Sequence, residues 1–139
     1  MADSWMSVRG IDCARILFDM APPDADDSVA LGTESFCYLT TSGRKTGKAH
    51  EIEIWFALDG STAYMLSGAS RSDWVRNLTK NPQVSIRIGG RTFSGNARVV
   101  SEPSEDERAR ELVWAKYQPS YKGDLTNWRK RSLPIAVDL

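Results

Sequence analysis

Apolar and polar residues alternate along much of the chain after residue 35, which is the pattern of half-buried β-strands. Short turns separate these runs, and the Asp59-Gly60 and Gly89-Gly90 pairs are typical of hairpins. Because hairpin turns dominate and no strand–helix–strand period appears, the pattern favours a mainly antiparallel sheet or a small barrel. The predicted strands cover residues 35–41, 50–58, 62–67, 84–88, 91–101 (with a bend at Gly95) and 134–139.

Three segments instead carry apolar residues at helical spacing. The first covers residues 5–20 and ends before two prolines, after which the acidic stretch 24–32 is predicted to be a loop. The second is a short helix that is capped by Ser70 or Ser72 and ends at residue 81, before a proline. The third begins with a capping box at residues 104–107 and runs to about residue 117. The elements together predict a mainly β domain with flanking helices.

Composition limits the classes of function. The chain has 139 residues, which suits a single domain, and its 18 basic and 18 acidic residues cancel, so nothing favours nucleic acid as a partner. Two cysteines and one histidine predict neither a disulfide framework nor a metal site. The sequence shows no signal peptide and no membrane-spanning run, so we expect a cytoplasmic protein without stable membrane insertion, with peripheral membrane contact left open. Exposed sheet edges also favour a homodimer.

One turn concentrates the candidate chemistry. Residues 40–48 read Thr-Thr-Ser-Gly-Arg-Lys-Thr-Gly-Lys and join the first two predicted strands. Two glycines permit a tight turn, while Arg44, Lys45 and Lys48 supply positive charge beside several hydroxyls, which suits a phosphate or a carboxylate. A solvated hairpin tip explains the same residues without a ligand. A nucleotide-binding P-loop is excluded, because only three residues separate the glycines and Ala49 follows Lys48.

Three regions of the chain, the last with two short motifs, resemble the deazaflavin-dependent nitroreductase family, whose members are F420H2-dependent reductases. Residues 39–48 are similar to its T-T-x-G-R-K-[ST]-G signature, and residues 74–84 resemble its W-x-x-N-L-x-x-N-P-x-V. Residues 117–121 and 131–135 resemble its Y-P-S-Y and R-x-[IL]-P-[IV] motifs. The chain departs from this pattern in two places. The turn before Trp74 is shorter, with Arg71 in place of a lysine, and Gln118 adds one residue to the tyrosine motif.

The resemblance implies a split β-barrel of the FMN-binding, pyridoxamine-phosphate-oxidase-like type, with residues 1–139 as one domain, an N-terminal helix within 1–23 and the cofactor-binding barrel over 35–139. It implies coenzyme F420, an 8-hydroxy-5-deazaflavin with a phosphate and a polyglutamyl tail. Arg44 and Lys45, assisted by Thr46 and Lys48, would hold these anionic groups. The strand after the basic turn would lie along the ring system, and a helix start would form a second anion site. The residues implied there are Ile54, Trp55, Phe56, Ser67, Gly68, Ala69, Ser70, Arg71, Trp74 and Asn77.

The implied activity is hydride transfer from reduced F420 to activated alkenes, quinones or nitro compounds, including conjugated lactones of the furanocoumarin or aflatoxin type. Tyr117 and Tyr121 resemble the tyrosines of the family's substrate pocket, and they are the candidate catalytic donors of a hydrogen bond or a proton. Both also suit simple packing at a helix end. Two alternatives remain, an FMN-dependent oxidoreductase with the same fold and a non-catalytic F420-binding or carrier protein.

The remaining aromatic and polar residues receive simpler interpretations. His50 is interpreted as a polar strand start, and Glu51 and Glu53 as a solvated strand face. Trp55 and Trp74 are candidates for stacking on a flat ring. The other tryptophans are predicted to lie in the core or in an interface, and the last of them also suits the mouth of a pocket; they are Trp5, Trp114 and Trp128.

Overall fold

The computed structural model describes residues 25–68 and 72–139. The helix predicted over residues 5–20, together with Trp5, lies outside the described residues. The strands are β1 Cys37–Ser42, β2 Ala49–Ile54, β3 Ala57–Asp59, β4 Thr62–Ser67, β5 Gln83–Ile88, β6 Arg91–Val99 and β7 Leu133–Asp138. The helices are α1 Ala25–Gly32, α2 Asp73–Lys80, α3 Pro103–Tyr117 and α4 Thr126–Arg131, with a 3₁₀ turn at Gln118–Ser120.

The strands form one antiparallel sheet in the order β2-β1-β5-β6-β7-β4-β3. Its two outermost strands, β2 and β3, are consecutive in the chain and are separated only by Trp55 and Phe56. A flat sheet of this width would hold its outer strands about 29 Å apart, whereas the link spans at most about 11 Å. The sheet must therefore curl until its two edges meet, and the predicted mainly antiparallel barrel with flanking helices is confirmed.

Two residues at the end of α3 bind the link between β2 and β3. The Tyr117 hydroxyl accepts a hydrogen bond from the backbone N–H of Phe56 (3.0 Å) and lies 2.8 Å from the carbonyl oxygen of Ser35. Lys116 donates from Nζ to the carbonyls of Glu34 and Phe56, both at 2.8 Å. Burial lowers the pKa of Lys116 to about 8. We call these two residues and their backbone partners the seam clamp, because they join the start of β1 to the β2–β3 link.

The interior contains two apolar clusters on opposite faces of the sheet. The larger fills the barrel and includes Leu39, Ile86 and Phe93, while the smaller lies beneath α3 and includes Val113. Each such fully buried side chain contributes roughly 1.5–3 kcal/mol. Gly95 lies in an unbroken β6, where a Cβ atom would come within 2.5 Å of the Val137 side chain. The glycine therefore permits close approach of β6 to β7, and nothing in this strand marks the predicted bend.

Several predicted boundaries of helices and strands, and one predicted helix cap, differ from the structure. The loop predicted at 24–32 is helix α1, which buries Leu31. The strand predicted at 50–58 is broken at the β2–β3 link, so its two halves occupy opposite edges of the sheet. The N-cap of helix α3 is Glu102, two residues before the predicted cap at Ser104, because the carboxylate of Glu102 accepts from the Glu105 N–H (2.8 Å). Ser72 precedes α2, but its hydroxyl pairs with Ser67 and does not cap the helix.

A charged network joins α3 to the sheet. Both oxygens of Glu105 accept from the Arg98 guanidinium (2.6 and 2.8 Å), and one also accepts from the Tyr64 hydroxyl (2.7 Å). Arg98 additionally pairs with Asp138 at 2.7 Å. These hydrogen bonds, chiefly those from Arg98, lower the pKa of Glu105 from 4.5 to about 2. The carboxylate is thus stabilised in the folded state, and this contribution disappears as the pH falls through that range.

We predict that Glu105→Gln lowers the free energy of unfolding at neutral pH by about 1–2 kcal/mol, since a bidentate partner of Arg98 is lost in a partly solvated network. Because the folded pKa lies below the unfolded one, the difference between parent and variant should shrink as the pH drops from 4.5 towards 2. Urea unfolding at several pH values measures this. A pH-independent difference would show that the carboxylate charge is not responsible, and Glu53→Gln serves as the control on an exposed strand.

Candidate functional site

Strand β2 runs between two concavities on the surface. The first, which we call the basic cleft, has a volume of about 670 Å³ and is built from the β1–β2 turn, β2 and the start of α2. The second, which we call the aromatic pocket, has a volume of about 500 Å³ and lies at the far end of β2. The cleft is lined by Gly43, Arg44, Lys45, Thr46, Ala49, His50, Glu51, Ile52, Asp73, Trp74 and Asn77.

A buried amide fixes the main cation of the cleft. Asn77, only 4% exposed, accepts from both the backbone N–H of Arg44 (3.1 Å) and its Nη1 (3.0 Å). Arg44 also reaches Asp73 at 3.3 Å. These contacts connect two of the motifs found in the sequence, because the asparagine of α2 orients the arginine of the turn. Arg44 therefore enters the cleft with a defined direction, which lowers the entropic cost of binding an anion.

The other cations of the turn are free to bind an anion. The side chains of Lys45 and Lys48 are exposed, and within the described residues neither has an acidic partner. Lys48 lies beside the cleft and does not line it. The turn is kept tight by Gly47 (φ 75°) and by the hydrogen bond from the Gly43 N–H to the Lys48 carbonyl (2.7 Å). Positive charge thus converges on the cleft from a single rigid turn.

The sequence interpretation missed three titratable residues of the cleft. His50 was assigned to a strand start, yet it lines the cleft, and a Cβ at Gly43 would lie 3.0 Å from its Nε2. Asp73 lies at the start of α2 and pairs with Arg44. Glu51 also lines the cleft, although it pairs with Arg87 at 3.4 Å. The only sequence signal for His50 was its position immediately after the basic turn.

The aromatic pocket is built around Trp55. The indole of Trp55 stacks on Tyr117 with ring centroids 4.3 Å apart and planes 3° apart. The rings of Tyr121 and Trp128 stand nearly perpendicular to Trp55, at 5.8 and 5.6 Å. This arrangement of rigid rings suits a flat conjugated molecule. The pocket is lined by Ile54, Trp55, Leu66, Tyr121, Gly123, Asp124, Leu125 and Trp128.

The open edge of β2 connects the two concavities. Within the described chain, β2 pairs only with β1, in a register that places Leu39 opposite Ile52 and Gly43 opposite Lys48. Because inward and outward backbone groups alternate in an antiparallel pair, Ala49, Glu51 and Glu53 present their N–H and C=O groups to the open edge. A ligand lying along this edge would find hydrogen-bond donors and acceptors between the basic cleft and the aromatic pocket.

The structure separates the predicted ring-binding residues into two groups. Ile54 and Trp55 line the aromatic pocket, and Trp74 lines the basic cleft. Phe56 is fully buried, and both its backbone N–H and its carbonyl are engaged by the seam clamp, so it cannot contact a ring system. Ser67 is also buried, whereas Gly68 is exposed and faces the indole nitrogen of Trp128. Ala69, Ser70 and Arg71 lie outside the described residues.

The two candidate tyrosines have different environments. Tyr117 is 8% exposed, its hydroxyl belongs to the seam clamp, and burial raises its pKa to about 12. Its geometry fits packing and not proton donation to a substrate. Tyr121 is 48% exposed, and within the described chain its hydroxyl has no hydrogen-bond partner. Of the two, only Tyr121 lines the aromatic pocket.

Among residues 25–68 and 72–139, no three His, Cys, Asp or Glu side chains are grouped so that they could hold a metal ion. No helix in the same part of the chain is long and apolar enough to cross a membrane. Cys37 is buried as a free thiol, and burial raises its pKa to about 12.

Comparison with solved structures defines the class of fold. The chain is similar to an F420-H2 dependent reductase (FDR-A), with a TM-score of 0.62 and 20% identity over 74% of this chain and 93% of that one. It is also similar to a candidate pyridoxamine 5'-phosphate oxidase from Listeria innocua, with a TM-score of 0.60 and 22% identity over 81% of this chain and 90% of that one. The fold is that of the split β-barrels.

Sequence comparison defines the family. The model of the F420H(2)-dependent quinone reductase family matches residues 27–139. The F420H(2)-dependent quinone reductase Rv1261c of Mycobacterium tuberculosis is 31% identical over 105 residues, covering 71% of this chain and 68% of the relative. This chain belongs to the F420H(2)-dependent quinone reductase family. It is therefore an oxidoreductase with F420 as its coenzyme, and the predictions of enzyme class and cofactor are confirmed.

The residues of the basic cleft fit this coenzyme. Its phosphate and glutamyl tail are anionic, and the cleft offers Arg44 in a fixed orientation together with an exposed Lys45 that has no acidic partner among the described residues. Its ring system is flat, and the adjoining edge of β2 offers backbone hydrogen-bonding groups beside Trp55. The cleft therefore matches the charged part of the coenzyme, and the edge matches the uncharged part.

We predict that Tyr117→Phe destabilises the protein by about 1–3 kcal/mol, because the buried Phe56 N–H and the Ser35 carbonyl lose their hydroxyl partner. Urea unfolding measures the loss. Turnover per folded molecule should stay close to that of the parent, since this hydroxyl faces away from the aromatic pocket. Tyr121→Phe is the matched control and should leave stability unchanged. A Tyr117→Phe protein that is fully stable but inactive would restore Tyr117 as a catalytic residue.

Proposed function

We propose that this protein reduces quinones with F420H2, with the anionic part of the coenzyme in the basic cleft and the substrate in the aromatic pocket. The observation that carries the proposal is that β2, whose outer edge is open in the described part of the chain, joins the cleft that contains Arg44 and Lys45 to a pocket with three aromatic rings. The Rv1261c relative carries the name F420H(2)-dependent quinone reductase, which supports the same substrate class here.

Each part of the site has a separate task in this proposal. Arg44, Lys45 and Thr46 bind the phosphate or tail, with Lys48 adding charge from beside the cleft. Asn77 orients Arg44, and Trp74 forms a wall of the cleft. The coenzyme, when bound, supplies the hydride. The chain supplies position, an aromatic environment and a hydrogen-bond donor.

Tyr121 is the proposed donor to the substrate. When a quinone accepts a hydride, negative charge develops on its oxygen, and a nearby hydroxyl stabilises that charge or donates the proton. The Tyr121 hydroxyl fits this task because the ring lines the aromatic pocket and the hydroxyl has no partner among the described residues. Tyr117 instead supports Trp55 from behind by stacking on it.

The shape of the aromatic pocket supports a broader substrate range. Its walls are flat rings and aliphatic side chains, apart from Gly123 and from Asp124, whose carboxylate is bound to Thr126. Such walls select planar conjugated molecules and not one particular functional group. We therefore include nitroaromatics, activated alkenes and conjugated lactones of the furanocoumarin or aflatoxin type in the proposal. Competition between these compounds and a quinone for the same reduced coenzyme tests whether they share the pocket.

A homodimer is a further part of the proposal. The outer strands β2 and β3 keep open edges in the described chain, and such edges favour association. A protein of similar fold, with a TM-score of 0.62 and 19% identity, is described as a domain-swapped dimer. Light scattering of the purified protein with and without F420 measures its mass. A monomer under both conditions would remove the dimer from the proposal.

We predict that the double variant Arg44→Ala and Lys45→Ala binds F420 about 10- to 100-fold more weakly, because charge-assisted hydrogen bonds to the tail are lost. Fluorescence titration measures the affinity, and the parent's affinity should weaken with added salt more than the variant's. The control is Lys80→Ala with Arg108→Ala, which removes the same charge outside both concavities. Equal affinity for F420 in the parent and the double variant would contradict the assignment of the basic cleft to the anionic part of the coenzyme.

We predict that Tyr121→Phe lowers kcat for quinone reduction by at least about tenfold, as expected for loss of a donor near the reacting oxygen. The affinity for F420 should remain within about twofold, because Tyr121 lies outside the basic cleft. Stopped-flow oxidation of the reduced coenzyme gives the rate. Turnover at the parent rate would show that solvent or another group supplies the proton.

A further inference from the structure

One wall of the aromatic pocket is a single segment that contributes little to the core. Five of the eight lining residues come from residues 121–131, which we call the wall segment. It contains a loop and the six-residue helix α4, and α4 buries none of its residues. The wall segment provides both rings that stand across from Trp55, those of Tyr121 and Trp128. Leu125 is buried and Trp128 packs against the cluster beneath α3, and the rest of the wall segment depends on polar contacts.

Gln118 holds the first half of the wall segment. Its side-chain Nε2 donates to the Gly123 carbonyl (2.8 Å), and its Oε1 accepts from the Leu125 N–H (2.8 Å). Both ends of one amide thus bind the loop that follows Tyr121. Gln118 is also the residue that this chain adds to the tyrosine motif. In the structure, this additional residue binds the loop that follows Tyr121.

Arg110 holds the second half of the wall segment. Its side chain, 17% exposed, is oriented by Asp106 at 2.6 Å on the same helix. Its Nη1 donates to the carbonyls of Arg129 (2.5 Å) and Lys130 (3.2 Å), which lie at the end of α4. A cation is favourable at a helix C-terminus, where unpaired carbonyls face outward. Arg110 therefore fixes the end of α4 against α3, together with Arg129, which pairs with Glu107 (2.5 Å) and Glu111 (2.9 Å) of α3.

We propose that Gln118 and Arg110 are positioning residues that set the distance from Tyr121 and Trp128 to Trp55, and thereby determine how tightly the pocket holds a flat quinone. The inference rests on the proposed function, because it takes the aromatic pocket as the substrate site. Neither side chain lines the pocket, and both act through backbone groups of the wall segment. Because Tyr121 and Trp128 stand nearly perpendicular to Trp55, a planar ligand meets the face of one ring and the edges of the others. A displacement of the wall by about 1 Å therefore removes much of this contact.

The first test uses Gln118→Met, which keeps the length of the side chain and removes both hydrogen bonds. The probe is 2-methyl-1,4-naphthoquinone. Its Kd is measured by quenching of tryptophan fluorescence without turnover, and its KM and kcat are measured with F420H2. We expect Kd and KM to rise about five- to tenfold, equivalent to loss of roughly one net hydrogen bond. The Kd for F420 should stay within about twofold, because the basic cleft is untouched.

The second test uses the opposite end of the wall segment. Arg110→Met should weaken quinone binding by a similar factor, and Arg110→Lys should restore part of the loss because an ammonium group still reaches one carbonyl. The matched controls are Gln83→Met, whose amide pairs with Asn96 on the sheet, and Arg108→Met, whose guanidinium pairs with Asp59. Both controls should bind the quinone as the parent does. Thermal unfolding of every variant separates a local displacement from a general loss of stability.

The outcomes distinguish the two proposals. A parent protein that binds the naphthoquinone but does not reduce it contradicts the proposed function, while the Kd series still tests the positioning role. A parent that reduces the quinone, with Gln118→Met and Arg110→Met showing parental Kd and KM values, overturns the positioning role alone. An equal loss of affinity for quinone and for F420 also overturns it, because a general structural effect would not spare the coenzyme.

Discussion

The closure of the sheet is the constraint on which the rest of this structure depends. β2 and β3 lie at opposite edges, yet they are joined by Trp55 and Phe56 alone, so the barrel exists only if this link is held in place. Lys116 and Tyr117 at the end of α3 bind it through both backbone groups of Phe56. The edges are thus joined by side chains and not by a complete strand ladder.

Closure by side chains has a direct functional consequence. Because β2 is fixed at its end by the seam clamp, its outer edge does not need another strand, and in residues 25–68 and 72–139 it stays open between the basic cleft and the aromatic pocket. The same link turns Phe56 into the core and Trp55 out to the pocket, where it stacks on Tyr117. Tyr117 of α3 therefore holds both the buried Phe56, through its backbone, and Trp55 of the pocket, through ring stacking. Tyr117 is important for the site because it supports the pocket, although its hydroxyl does not face the substrate.

The hydrophobic pattern of the sequence predicted the strands whose side chains alternate between core and solvent. It failed at positions where contacts with distant residues determine the structure. The alternation of Val84, Ile86 and Ile88 predicted β5, because each of these side chains faces the core. The break after Ile54 was not predictable, since an apolar run continues through it and only the distant Tyr117 shows where the link lies. The basic turn was found from its residues, but its orientation by Asn77 needed the structure. Helix α4 was missed because it buries no residue and so carries no apolar stripe.

The most direct test of the account is a fluorescence titration of the purified protein with F420, with the same deazaflavin lacking phosphate and glutamates, and with FMN. If the basic cleft binds the tail, F420 should bind with micromolar or tighter affinity, and the tailless deazaflavin should bind at least about tenfold more weakly. FMN should also bind more weakly than F420. Equal affinity for the two deazaflavins, or a preference for FMN, would contradict the assignment of the basic cleft to the coenzyme.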